Sequence, residues 1–308
     1  MTERYCRSNN LVFSRKVNDM IFVTGDIHGN GERFSSRRWR FGKGLNRNDA
    51  VIVAGDFGLP WSDSNTDTYW LDWLESKPWT TCFVDGNHEN HALLSKQPTK
   101  NWNNGKVHVL RQHVLHLIRG EIFNISGLTI FVMGGASSHD IQYRTAGKNW
   151  WPEELPSASE YEHARKALNA TNRKVNYVIA HEAPRVIASK LCQQRNRIRN
   201  PNDPLQGFFE EISNRLYYQC WFSGHYHIDE WVNERHRLIY EDILPIGSKM
   251  PINRGFGKKQ EIVRSKKESY SNETSPYARQ KKGHKEPGCG RLRRFFMQSQ
   301  RIPIRLDG

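Results

Sequence analysis

The sequence predicts an α/β fold whose central strands are buried on both faces. Three observations carry that reading. Apolar runs at 20–24, 49–54 and 80–84 are short and unbroken, as in strands covered on both sides rather than one. Each run ends in a glycine-bearing turn, Gly25-Asp26, Gly55-Asp56 and Gly86-Asn87. Helical segments separate them: Tyr69, Trp70, Trp73 and Leu74 recur at three- and four-residue spacing, which packs one side of a helix.

In chain order, residues 1–18 show no clear periodicity and read as an N-terminal extension without a fixed fold. The first strand spans 20–24, with a helix expected in the early thirties. After the strands at 49–54 and 80–84 come strands at 106–110, 121–125 and 128–133. Ser126-Gly127 makes a hairpin turn between the last two. A long loop, 136–157, precedes a helix over 159–169 that Ser157 or Ser159 caps. The strand 176–180 ends at His181. An Arg-rich loop is expected over 185–204, where Pro201 and Pro204 act as breakers. An amphipathic helix over 205–216 places Phe208, Phe209, Ile212 and Leu216 on one side, the strand 220–223 ends at Gly224-His225, and 237–244 closes the pattern. From Ile246 onward Lys, Arg, Ser, Gly and Gln dominate, so the reading gives a domain over 19–245 and a basic, disordered tail over 246–308.

The formal charge of +14 suggests nucleic acid, but its distribution does not. The tail holds 16 Lys/Arg against 5 Asp/Glu, and residues 1–18 hold 4 against one. The body between carries 26 of each sign and is neutral. Nucleic-acid binding is thus a property only the tail could supply, through phosphates and without sequence preference. No apolar run approaches the ~20 residues of a membrane span, and the basic N-terminus lacks the apolar core of a secretory signal. Five scattered cysteines form no CxxC pair and no disulfide framework. A reducing, cytoplasmic setting is expected.

The chemistry gathers in five turns, each after an apolar run. They carry Asp26 and His28, then Asp56, then Asn87, His88 and Glu89, then His181, then His225 and His227. Turns at the carboxyl ends of buried strands are where sites collect in α/β sheets. Asp26 and Asp56 offer carboxylates, His28, His181, His225 and His227 offer imidazoles, and Asn87 offers an amide oxygen. Mixed nitrogen and oxygen donors without thiolate suit borderline divalent ions: manganese, iron, zinc or cobalt, with manganese favoured. Seven donors exceed one tetrahedral ion and fit two ions that share a carboxylate.

The order D-x-H, G-D, G-N-H-E, an isolated histidine after a strand, and G-H-x-H resembles the calcineurin-like metallophosphoesterase superfamily over about residues 20–245. The resemblance implies a four-layer αββα sandwich of two mixed sheets. It also implies hydrolysis of a phosphomonoester or phosphodiester by a metal-bridging hydroxide. By motif, Asp26, His28 and His227 would bind a first ion, Asp56 would bridge, and Asn87, His181 and His225 would bind a second. His88 would serve as general acid or as donor to the transition state. The sequence departs from the protein-phosphatase branch. Phe57-Gly58-Leu59-Pro60 follows Asp56, so Leu59 stands where that branch has an Asp that orients the histidine, and Pro60 where it has a phosphate-binding Arg. The stretch from Gly134 through Trp150-Trp151-Pro152 is instead similar to small bacterial and phage metallophosphoesterases. Arg144 or Arg185 is expected to supply the missing phosphate contact, with His139 in the same loop region as Arg144. The substrate class is a phosphorylated small molecule or a nucleotide. Two other readings stand beside this one: a metal-binding scaffold with little turnover, and a nucleic-acid-associated phosphodiesterase that uses the basic tail.

Overall fold

The buried runs become strands of two sheets that face each other. The computed structural model describes residues 5–8, 11–14, 19–195 and 202–251; the basic clusters of the tail, with Arg197 and Arg199, lie outside them. The strands are β1 (Tyr5–Ser8), β2 (Leu11–Ser14), β3 (Ile21–Thr24), β4 (Ala50–Ala54), β5 (Thr80–Val84), β6 (Thr99–Trp102), β7 (Gly105–Arg111), β8 (Val114–Leu117), β9 (Ile122–Ile125), β10 (Leu128–Met133), β11 (Tyr177–Ala180), β12 (Cys220–Ser223), β13 (Glu230–Asn233), β14 (His236–Leu238) and β15 (Leu244–Pro245). The helices are α1 (Asn65–Glu75), α2 (His91–Leu94), α3 (Ala158–Ala170), α4 (Arg185–Gln194) and α5 (Pro204–Ser213). The chain divides into Met1–Ile252 and Asn253–Gly308, and the second unit lies outside the described residues.

One sheet has seven strands in the order β15-β3-β4-β5-β8-β7-β6, and the other six in the order β13-β14-β12-β11-β10-β9. Both are mixed. β3, β4, β5 and β8 run parallel, flanked by antiparallel β15 and β7. β10, β11, β12 and β14 run parallel, flanked by antiparallel β9 and β13. Strands β1 and β2 pair antiparallel with each other.

Side-chain alternation explains the layers. Ile21, Val23, Ile52 and Val84 from one sheet meet Ile130, Val132, Ile179 and Phe222 from the other in a shared inner core. The opposite faces are covered separately. Phe22, Val51, Val53 and Phe83 pack under Leu71 and Leu74 of α1. Phe131, Val178 and Trp221 pack under Leu168 of α3 and Phe209 of α5. The result is helix, sheet, sheet, helix. Each fully buried Val, Ile or Phe is worth about 1.5–3 kcal/mol relative to exposure, so the two-sided strands dominate stability. Trp79 joins this packing, fully buried against Phe34 and Trp39 on the helix side.

Capping chemistry sets the helix starts. Ser64 caps α1 and Ser157 caps α3, each in a reciprocal capping box with the residue three positions on. In the early thirties the chain makes only a short 3-10 helix, Gly31–Phe34, capped by Asn30. The expected loop over 185–204 is corrected. Arg185–Gln194 is an α-helix because Ile187, Ala188 and Leu191 present one buried face within a polar sequence. Ile246 is buried and its N–H donates to Ile21 O at 2.9 Å. No helix among the described residues is long and apolar enough to cross a membrane.

Candidate metal centre

Five parallel strands, three from one sheet and two from the other, deliver their carboxyl ends to one place. After β3 the chain turns at Gly25, where a Cβ would collide with the Ile239 carbonyl, and places Asp26 and His28. After β4, Gly55 (φ 93°) leaves the space that the His181 ring occupies. After β5, Gly86 leaves the space that the Asp56 carboxylate occupies. The first two turns are laced together: Ile27 and His28 N–H donate to Asp56 O at 3.1 and 2.9 Å, and Gly29 N–H donates to Phe57 O at 2.8 Å. His28, Asp56, His225 and His227 all hold left-handed backbone, with φ of 46°, 47°, 65° and 52°. Such non-glycine residues cost of order 1–3 kcal/mol each and cluster at functional sites.

All seven residues expected as ligands are brought together, in two groups. Asp26, His28, Asp56 and His227 each offer one donor atom, and these atoms lie within 4.8 Å of one another. His28 Nε2 and His227 Nε2 are 3.1 Å apart. In the second group His181 Nε2 lies 3.3 Å from Asn87 Oδ1 and 3.2 Å from Asp56 Oδ1. His225 sits edge-on to His181, with ring centroids 5.0 Å apart. Asp56 therefore faces both groups, with Oδ1 toward His181 and Oδ2 4.0 Å from His28 Nδ1.

The electrostatics show what this pocket wants. Asp26 and Asp56 are each 1% exposed. Burial alone would raise the Asp56 carboxyl, but His181 beside it holds it well below the usual range. Burial pulls His181 down, yet the Asp56 and Asp26 carboxylates outweigh it and push it up to about 10. A proton there supplies positive charge to two buried carboxylates. Burial lowers His28, and lowers His225 well below its ordinary value, so these rings are neutral and present lone pairs. Asp26 Oδ2 is buried and, among the described residues, accepts no hydrogen bond, although His227 Nε2 lies 3.0 Å away. Between His28 Nε2 and His227 Nε2 at most one hydrogen fits. Converging lone pairs, an orphaned carboxylate oxygen and unmet negative charge fit divalent cations held by nitrogen and oxygen donors.

Several supporting residues were not assigned roles from the sequence. Glu89 is buried, and its carboxylate accepts Phe57 N–H at 2.7 Å, Gly58 N–H at 2.8 Å and Gly86 N–H at 3.3 Å. It ties the turn after β4 to the turn after β5, and its place after Asn87-His88 was the available signal. Arg33 donates to Thr24 Oγ1 at 2.9 Å, to the carbonyls of Gly25 at 3.0 Å and Asp26 at 2.6 Å, and to Tyr240 O. Tyr240 in turn stacks on His227, with ring centroids 4.5 Å apart. Glu182, next to His181, accepts from the Tyr226 hydroxyl and from Ala183 N–H at 2.7 Å, and lies 3.8 Å from His225 Nε2. No sequence signal marks it.

On the open side, His88 N–H donates to Asp56 Oδ1 at 2.8 Å, and Arg144 Nη2 approaches His88 Nε2 at 3.4 Å. Arg144 is steadied by Asp140 Oδ1, 2.7 Å from its Nε. His139 lies beside His225, with ring centroids 6.0 Å apart. Arg185 differs: it begins α4, and its Nη2 donates to Asp203 O at 3.3 Å. A cavity of about 580 Å³ opens beside Asp26 and His28, with Arg38, Trp39 and Tyr240 on its walls.

Two facing mixed sheets with helices outside gather carboxylates and imidazoles at the carboxyl ends of their parallel strands. The chain belongs to the calcineurin-like phosphoesterase family, whose model matches residues 20–229. This family generally uses divalent metal ions. Among solved structures the chain is similar to a Staphylococcus aureus protein assigned as a 5′-nucleotidase and determined with alpha-ketoglutarate. The identity is 16% and the TM-score 0.40, over 72% of this chain and 48% of that one. The chain thus spans about half the length of that protein. No curated protein matches it.

Proposed function

We propose that the protein hydrolyses a phosphomonoester or phosphodiester at a dinuclear centre. Asp26, His28 and His227 would hold one divalent ion and Asn87, His181 and His225 the other, with Asp56 between the two groups as the shared ligand. The observation that carries this reading is the placement of the two Asp56 oxygens, one toward His181 and one toward His28. Manganese is the ion we favour, and the substrate is a phosphorylated small molecule or nucleotide. The phosphoesterase domain spans 19–245, with 1–18 as an extension and 246–308 as a basic tail. The free thiols of Cys82, Cys192 and Cys220 support a reducing, cytoplasmic setting.

When bound, the ions supply Lewis acidity and an activated water nucleophile. The chain supplies the rest. Burial lowers His88, and the charge of Arg144 adds to that effect against the pull of Asp56, so the imidazole is neutral at pH 7. His88 serves as general acid or as donor to the transition state, and the donor role falls to Nδ1–H, because Nε2 faces the Arg144 guanidinium, which can only donate. Arg144 brings a fixed positive charge to the same side and stands in for the arginine that Pro60 replaces.

The test compares p-nitrophenyl phosphate with bis-p-nitrophenyl phosphate, each with added Mn²⁺. Turnover of either, lost on chelation and restored by Mn²⁺, is the expected result, and the preferred ester assigns the class. No turnover of either by a protein that holds two ions would overturn the catalytic reading and leave a metal-binding scaffold.

A further inference from the structure

Asn87 is the one proposed ligand whose two ends differ in kind. Its Oδ1 has lone pairs for a cation, whereas its Nδ2 carries only hydrogens. Nothing in the amide's shape decides which end faces the centre. The surroundings do. Asn87 Nδ2 donates to Ser138 Oγ at 3.1 Å. Ser138 Oγ donates to Glu154 Oε2 at 2.7 Å, and Ser138 N–H donates to Glu154 Oε1 at 2.8 Å. Asn87, Ser138 and Glu154 are 5%, 7% and 2% exposed, so water does not compete for these groups.

A serine hydroxyl has one hydrogen, and Glu154 takes it. Ser138 is left with a lone pair to offer Asn87, so only the NH2 end of the amide is accepted there. Oδ1 must then point the other way, toward His181 Nε2 at 3.3 Å. The loop that carries Ser138 and Glu154 is itself fastened beside the turn: Gly135 N–H donates to Asp85 O at 2.9 Å, and Arg119 joins Asp85 Oδ2 to the Glu153 carbonyl, the latter at 2.7 Å.

We propose that Ser138 and Glu154 are positioning residues that fix the amide of Asn87, so that its carbonyl oxygen and not its NH2 group meets the second ion. This inference rests on the two-ion reading above. A flipped amide would set two donor hydrogens against a cation.

The test uses the full chain, stripped of metal and titrated with Mn²⁺ alone by calorimetry, with the electron paramagnetic resonance of coupled Mn²⁺ pairs as a second readout. The unaltered protein should bind two ions. Ser138→Ala should weaken the second ion by about tenfold to a hundredfold, the usual cost of losing an outer-shell partner, and leave the first within about twofold. Glu154→Gln, which keeps shape but changes acceptor order, should shift the same ion in the same direction. Ser138→Thr should restore affinity. In an Asn87→Asp background both side-chain oxygens are acceptors and orientation loses its meaning, so Ser138→Ala should add less than about twofold. A folded Ser138→Ala protein with unaltered second-ion affinity would overturn the proposal. So would an equal loss in the Asn87→Asp background, because that marks a packing defect. A single Mn²⁺ in the unaltered protein would overturn the two-ion reading, and this inference with it.

Discussion

Arg144 reaches His88 across 56 residues of sequence, with Nη2 3.4 Å from Nε2. The contact favours Arg144 over Arg185 as the proposed phosphate contact, two arginines that the sequence left equal. Arg185 is engaged with the Asp203 carbonyl at the start of α4, whereas Arg144 lies against the side chain assigned to the transition state. Arg144→Ala should lower kcat/KM by about tenfold to a hundredfold, as expected for a charge-assisted hydrogen bond of about 1.5–3 kcal/mol, mostly through KM. Arg185→Ala should leave KM unchanged. Steady-state kinetics on the preferred nitrophenyl ester make the comparison.

The bridging role proposed for Asp56 predicts a coupled loss. Asp56→Asn removes the charge that both donor groups share, so both ions should weaken together rather than one. Thermal melts with and without Mn²⁺ report this. Saturating metal at a hundred times its Kd stabilises a native site by about 2.7 kcal/mol, and Asp56→Asn should lose most of that increment.

Gly55 and His181 cannot both keep their places if a methyl group is added. Gly55→Ala would drive a Cβ into the His181 ring at a backbone φ of 93°. We expect a loss of about 1–3 kcal/mol of stability from the backbone alone, and activity below a hundredth of the unaltered enzyme. Urea unfolding and kinetics together separate the two effects.

Acid should unfold this protein earlier than its carboxylates require. Burial lowers His91 to about 4, and His108 and His236 shift likewise. Between the ordinary histidine value near 6.5 and about pH 4, the unfolded chain takes up protons that the fold refuses. Stability is therefore full above that window and falls as pH drops through it. The urea midpoint should decline from pH 7 to pH 4, and His91→Leu, which cannot charge, should flatten part of the slope.

The strands that carry the site were legible because burial on both faces leaves no polar alternation to confuse them; 49–54 and 80–84 read directly from composition, against observed strands Ala50–Ala54 and Thr80–Val84. Strand β6 was not, since Thr99, Lys100 and Asn101 form an exposed edge whose polar residues look like loop. Strand β8 was hidden by His116, a buried histidine that pairs with Asp85 at 3.1 Å in the middle of an apolar run. Helix α4 was hidden by its polar face. At the site, the spacing of Asp and His within turns was visible because ligand and turn share a motif. Glu89 was visible as a member of the G-N-H-E turn but not in its role, and Glu154 and Glu182 were not visible. Each is a buried acid with amide or hydroxyl partners contributed in part by remote segments, and no local pattern records which of these will converge. Arg144 and Arg185 were indistinguishable because their difference lies in what each already touches.

The left-handed backbone at His28, Asp56, His225 and His227 also restricts what these positions can become. Outside glycine, Asn, Asp and His are the residues that tolerate such φ values most readily. Cysteine and glutamate, the other common ligands, are not among them. Efforts to retune this centre toward softer metals by swapping side chains would thus meet resistance from the main chain before any question of coordination arose. The turns admit a narrow alphabet, and the preference proposed for borderline ions would be partly written in peptide torsions.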